Sequence, residues 1–139
     1  MTPVQTRAVV AEALAWVGTP YVHMGRLRGV GVDCAQLLIA VYAAAGVVAE
    51  FDVGTYTQDW YLHRSEELYL GWIQRHAEQV AEAEPGDIAV FSFGRTASHG
   101  GIVTAPGYMV HAYRPHGAVD LIELRALDAR FHSFWRVNV

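Results

Sequence analysis

Residues 29–46, GVGVDCAQLLIAVYAAAG, decide the fold. Two glycines loosen a loop, Asp33 stands where a helix N-cap belongs, and the chain then turns apolar and rich in Ala and Leu. Gly46 suits the left-handed residue that closes such a helix. The pattern predicts a helix from Cys34 to Ala45 that begins on the chain's single cysteine. A thiol attacks only as thiolate, and its free pKa of roughly 8.5 leaves little of that form at neutral pH. A helix start offers unpaired N–H groups and a positive partial charge, both of which favour the anion. A cysteine that merely fills a core more often sits mid-helix on the buried face. Position therefore marks Cys34 as a nucleophile.

Upstream, Thr2 to Val17 reads as a first helix, with Thr2 as cap and Pro3 at the first helical position. Val9, Ala13, Trp16 and Val17 share one face at helical spacing, and Gly18-Thr19-Pro20 ends the run. Residues 21–33 read as a loop. Downstream, residues 47–83 carry Phe51, Tyr56, Trp60, Tyr61, Tyr69 and Trp72, and Ser65 to Glu82 has helical spacing. Two readings stand for this stretch: a helix laid over the core, or a lid or partner-docking segment.

After Glu84-Pro85-Gly86-Asp87 the pattern changes to short apolar runs between turn signals. Ile88–Phe93, Gly100–Thr104, Tyr108–Tyr113 and Val119–Glu123 read as strands. Ala105-Pro106-Gly107 reads as a hairpin turn, Leu124–Arg130 as a short helical turn, and Phe134–Val137 as a last strand. Helices first and a strand meander afterwards imply an α+β fold, with N-terminal helices packed on a central antiparallel sheet. Residues 1–139 are expected to form a single domain, a length that buries a core without staples.

Composition narrows the function. Formal net charge is −4 and all ten basic residues are Arg, so no basic surface for a nucleic-acid backbone is expected. One cysteine excludes an internal disulfide. The first residues lack a secretory layout, and the most apolar run, Ala35 to Ala49, is interrupted by Gln36 and Gly46 and too short to span a bilayer. Neither conventional export nor membrane insertion is expected.

A nucleophilic cysteine needs a base, and the base needs an orienting group. His99 and His111 lie on the runs flanking the Ala105-Pro106-Gly107 turn. If Thr104 pairs with Tyr108, then His99 faces Tyr113 and His111 faces Gly101. The two imidazoles then sit diagonally on one face, roughly 7–8 Å apart at the backbone and within reach of a hydrogen bond. A slip of one residue would put them on opposite faces. Gly100 and Gly101 leave room for substrate or another chain segment to approach. Zinc is the rival use of one Cys and two His. There is no CxxC, no HExxH and no close ligand pair, and His23, His63, His76, His116 and His132 lack metal-like spacing. No metal and no cofactor are expected.

The order GTPYVHMGRLRGVGVDCAQLL, PGDIAVF, SHGGIVT, MVHAY resembles the NlpC-type cell-wall cysteine peptidases, most closely the branch encoded with phage tail genes. The resemblance covers about Ala11 to Tyr113. It implies a compact papain-like fold and an endopeptidase acting on peptidoglycan stem peptides, commonly at a γ-D-glutamyl bond to the diamino acid. By that resemblance Cys34 is the nucleophile, His99 the general base and His111 the residue orienting it. Tyr21, in the TPY motif, lines the site, and Asp33 helps bind the free amine of the stem peptide. The frequent DCSG pattern is here DCAQ, so a substrate-contacting Ser is absent, and Gln36 is expected in the packing or the pocket wall. No SH3-like wall-binding domain is present, so phage tail hub or tip proteins are the implied partners and the virion the implied location. Two alternatives remain open: a mainly structural tail-tip part, and an acyltransferase or amidase on the same scaffold.

Overall fold

The computed structural model describes residues 1–54, 56 and 68–138. Helix α1 spans Pro3–Ala15. The Gln5 N–H donates to Thr2 Oγ1 at 3.1 Å and the Thr2 N–H donates to Gln5 Oε1 at 2.8 Å. This reciprocal pair satisfies two donors that no helical carbonyl can reach. Val9, Ala13 and Trp16 are buried, but Val17 is 46% exposed. The helix closes at Trp16, so Val17 leaves the apolar face that its spacing suggested.

The segment expected as a loop holds a small hairpin, β1 (Arg26–Leu27) and β2 (Gly31–Val32). A Cβ on Gly31 would lie 2.5 Å from Val22 Cγ2, so only glycine fits that crossing. Helix α2 spans Cys34–Ala44, capped by Asp33. Gly46 follows its end at φ +72°, the left-handed conformation glycine adopts without strain. Helix α3 spans Leu68–His76.

Ala77–Val80, expected within that helix, is instead strand β3. Its partner is the cause: β3 pairs with β8 (Phe131–Val137) from Ala77↔Val137 to Val80↔Phe134. Four residues with weak local preference follow the ladder available to them. The remaining strands are β4 (Ile88–Phe93), β5 (Thr96–Ala105), β6 (Tyr108–Tyr113) and β7 (Ala118–Glu123). Short 3₁₀ turns occupy Arg114–His116 and Leu124–Arg130. The sheet order is β3-β8-β4-β5-β6-β7, antiparallel throughout. This is the α+β architecture expected, with β5, β7 and β8 longer than their apolar runs.

The helices cover one face of the sheet, where Ile88, Val90, Ile102, Val110 and Val119 join Val9, Leu37 and Tyr69 in the main core. The other face buries Ala89, Phe91, Val103 and Met109 beneath Leu124, Leu127 and Phe134. Tyr56 and Tyr69 turn inward and are buried, so they are not a docking surface; Trp60 and Tyr61 lie outside the described residues. The outer edge of β7 is strapped by the chain after α1. Gly18 N–H donates to Val119 O, Val119 N–H to Thr19 O, and Tyr21 N–H to Gly117 O, at 2.8–2.9 Å. Among the described residues no helix is long and apolar enough to cross a membrane.

Candidate active site

The start of α2 is built around one carboxylate. Asp33 Oδ1 accepts from the Gln36 N–H at 2.9 Å, the N-cap bond the sequence suggested. Asp33 Oδ2 accepts from the Met24 N–H at 2.7 Å and from the Tyr56 hydroxyl. Met24 has φ +62°, a left-handed backbone that costs about 1–3 kcal/mol in a residue other than glycine. Its bond to Asp33 offsets that strain. Asp33 is 2% exposed, so its oxygens work inside the protein.

Cys34 follows as the first helical residue and is buried. Its Sγ–H donates to the Ser98 carbonyl at 3.7 Å. A bulge makes this possible. Phe91 pairs with His99 and Ser92 with Ala97, which leaves Ser98 as the extra residue of β5. Bulges re-aim backbone and side chains in this way. The sulfur is thereby anchored one residue along the chain from His99. Burial pushes the Cys34 thiol well up, and the Asp33 charge adds to this, while the Ala35 and Cys34 backbone N–H groups pull it back only in part. The helix start does favour the anion, as its position implied, but the pull is the weaker one. Desolvation outweighs the helix terminus, and the resting sulfur is a neutral thiol.

The histidines are set by register. Ile102 pairs with Val110 and Val103 with Met109, the register expected, but Tyr108 meets Ala105 rather than Thr104 because Thr104 is bulged out. His99 Nε2 and His111 Nδ1 lie 2.9 Å apart, in a hydrogen bond. A Cβ on Gly101 would lie 2.7 Å from Met109 Sδ and 2.8 Å from the Val110 carbonyl, and one on Gly100 would lie 2.8 Å from the Tyr69 hydroxyl. The room these glycines leave is taken by the protein's own chain.

His111 is fully buried and pairs across the β6–β7 ladder with Asp120. His111 Nε2 and Asp120 Oδ1 are 2.8 Å apart. That distance suits a hydrogen bond but the angle does not, and both atoms are buried without a well-aligned partner. Burial lowers His99 well below the usual imidazole value, with the neighbouring His111 adding to it. Burial also lowers His111 to about 4, against the opposing pull of Asp120. Both rings are neutral at pH 7. An Asp120 carboxylate favours the proton on His111 Nε2, which leaves His111 Nδ1 to accept from His99 Nε2–H. His99 Nδ1 then carries a lone pair, as a base requires.

The family model described as NlpC/P60 matches residues 18–136. The chain belongs to the NlpC/P60 family. No curated protein matches it. Among solved structures it is similar to the NlpC/p60 domain of the peptidoglycan hydrolase SagA, at 25% identity and TM-score 0.62 over 96% of this chain and 98% of that one. It also resembles the peptidoglycan hydrolase RipB of Mycobacterium tuberculosis, at 22% identity and TM-score 0.67, covering 97% of this chain and 66% of that one. A third match, at 19% identity and TM-score 0.60 over 100% and 99%, is RipD of M. tuberculosis, described as a non-catalytic NlpC/p60 domain protein adapted to peptidoglycan binding.

Within this NlpC/P60 domain, Tyr21 is half-buried and packs on the main core, its backbone held by Gly117 and Val32. Near it, the Tyr69 hydroxyl donates to the Cys34 carbonyl at 3.4 Å. Gln36, the departure from DCSG, is buried. It accepts from Arg26 Nε at 2.6 Å and donates to the Tyr56 hydroxyl at 3.3 Å. Arg26 continues to Glu50 and to the Phe51 carbonyl. The residue therefore clamps the β1–β2 hairpin, Glu50, Phe51 and Tyr56 to the helix start. Asp120 and Ser98 were not singled out from sequence, and Tyr56 was named only among the aromatics of a lid or docking segment. Only Asp120 left a signal: folding 108–113 onto 118–123 about the Pro115-His116-Gly117 turn sets it opposite His111.

Proposed function

We propose that this domain is a cysteine endopeptidase that hydrolyses peptidoglycan stem peptides by acyl transfer. The observation that carries the reading is the polar chain from Asp120 through His111 to His99, which ends one residue from the carbonyl holding the Cys34 thiol. His99 Nδ1 takes the Cys34 proton as the sulfur attacks the amide carbonyl carbon. The Cys34 backbone N–H at the helix start holds the developing oxyanion. His99 returns the proton to the leaving amine, and water, deprotonated by the same ring, releases the acyl group from sulfur. Starting from a neutral thiol and a neutral imidazole, the proton moves with the attack rather than before it.

The finer reading takes the bond cut as γ-D-glutamyl to diamino acid, with Tyr21 on the substrate side and Asp33 behind the nucleophile, and places the domain in a phage tail tip among hub proteins. It is supported by the motif order of the sequence. A second reading, a domain that binds wall peptide or fills a tail tip without cutting, is favoured by one feature: the neutral, buried thiol.

Mass spectrometry of purified peptidoglycan after incubation with wild type and Cys34→Ala separates the two. Hydrolysis gives new stem-peptide fragments with wild type and none with the variant, which keeps its fold because only a sulfur is removed. Identical fragment patterns from both proteins would sink the peptidase assignment.

A further inference from the structure

We propose that His111, His116 and Asp120 form a binding site for a divalent transition-metal ion, best fitted by Zn²⁺, whose occupancy disables His99 as a base. The ligand atoms of the three side chains all lie within 4.8 Å of one another. Asp120 Oδ2 is 2.7 Å from His116 Nδ1, and Asp120 Oδ1 is 2.8 Å from His111 Nε2. Two imidazoles and a carboxylate are a donor set that zinc takes, at about 2.0–2.2 Å from each atom. Opening the two contacts by roughly half an ångström or slightly more makes room for a tetrahedral ion bonded to all three.

A second observation points the same way. His111 is wholly buried, yet its Nε2 and the facing Asp120 Oδ1 have no aligned hydrogen-bond partner. A cation that displaces the Nε2 proton would bond both atoms. Entry comes from the solvent side, where His116 is 47% and Asp120 36% exposed. The backbone supports the site firmly. His111 and Asp120 are a directly opposed pair on β6 and β7, and His116 sits in the 3₁₀ turn that joins these strands.

The effect on the base follows from counting protons, and this half of the inference rests on the peptidase reading. With the ion absent, one proton sits on His111 Nε2 and one on His99 Nε2. An ion on His111 Nε2 takes that nitrogen's lone pair and excludes its proton. The imidazole then holds its proton on Nδ1, as metal-bound histidines do when the second nitrogen donates to a neighbour. Across the 2.9 Å bond, His111 Nδ1–H now donates to His99 Nε2. His99 in turn keeps its proton on Nδ1. The total is still two protons, but the nitrogen that must accept from Cys34 has no lone pair.

The test begins with calorimetric titration of ZnCl₂ into Cys34→Ala, which removes the thiol as a competing ligand. One saturable site is expected, weakened at least about tenfold by adding His116→Ala. Absence of saturable binding, or an affinity that His116→Ala leaves unchanged, overturns the site. The base is read separately by iodoacetamide alkylation of Cys34. Zn²⁺ at a concentration that fills the wild-type site but falls below the dissociation constant of His116→Ala slows alkylation of wild type and leaves His116→Ala, which retains the cysteine, unaffected. Equal slowing in both proteins means the ion sits on sulfur and overturns the switch. Nitrogen-15 imidazole spectra give a direct signature: the His99 proton moves from Nε2 to Nδ1 on adding zinc. Calorimetry, alkylation and spectra need no peptidoglycan, so a chain that proves unable to cut the wall leaves the metal site standing or falling alone.

Discussion

The two halves of the site are held in different ways. The cysteine half is a knot of side chains and loop backbone. Asp33 collects a helix N–H, the strained Met24 N–H and the Tyr56 hydroxyl, and Gln36 ties Arg26 to the same group. The histidine half is a product of strand register, with ladder pairs and a bulge deciding which nitrogen meets which. Charge and desolvation therefore tune the sulfur, whereas sub-ångström alignment tunes the rings. Damage to each half should leave a different trace.

The largest effect is expected from Asp120→Asn. The fold survives, but an amide does not hold the His111 proton on Nε2, so the relay to His99 loses its direction. A drop in kcat of up to about 10⁴-fold with KM nearly unchanged is expected. A kcat within a few-fold of wild type would detach Asp120 from the base. Next comes Gly101→Ala. Its Cβ meets the Val110 carbonyl and Met109, so β6 must shift by a fraction of an ångström beneath His111. About 1–3 kcal/mol of stability should be lost in urea unfolding, with roughly 10²-fold lower kcat/KM from misalignment. An unchanged rate would show that the rings tolerate register error.

Smaller and opposite in sign is Asp33→Asn, which keeps the cap and removes the charge. Stability should fall by about 1 kcal/mol as charge-assisted bonds weaken. Cys34 should react faster with iodoacetamide at pH 7, because the charge that holds its thiol up is gone. Unchanged or slower alkylation would assign the raised thiol to burial alone. The gentlest probe is pH. His99 is lowered from 6.5, so its base form persists on acidification and the acid limb of kcat/KM should have its midpoint below pH 6.5. For stability the sign is the same. Between about 6.5 and about 4 the unfolded chain takes protons that buried His111 refuses, so Tm should decline across that window and level below it. A Tm flat through this range would mean His111 is not buried neutral.

Sequence legibility follows the same division. The Asp33 cap, the helix beginning on Cys34 and the Thr2 cap are local chemistry, and they were readable from a few adjacent residues. So was the shared face of His99 and His111, because one turn fixes a two-strand register. Strand β3 was hidden inside a helical pattern, since its only reason to be a strand is β8, more than fifty residues away. The thiol's upward shift was illegible too. It depends on how much water the folded chain removes from Cys34, a quantity with no local signature. The metal-ligating geometry of His116 escaped spacing rules because two of its three members meet across a ladder rather than along a helix.

The strap between Thr19 and Val119 has a consequence for how the protein comes into being. Its bonds join residues about a hundred positions apart, and β7, which it borders, carries Asp120. Contacts of such long range close slowly, after the local helices have formed. A nascent chain still held at the ribosome has its thiol capped on a finished helix but no edge strand against which to complete the relay. Reactivity thus arrives only once β7 has been made and has met the Thr19 strap.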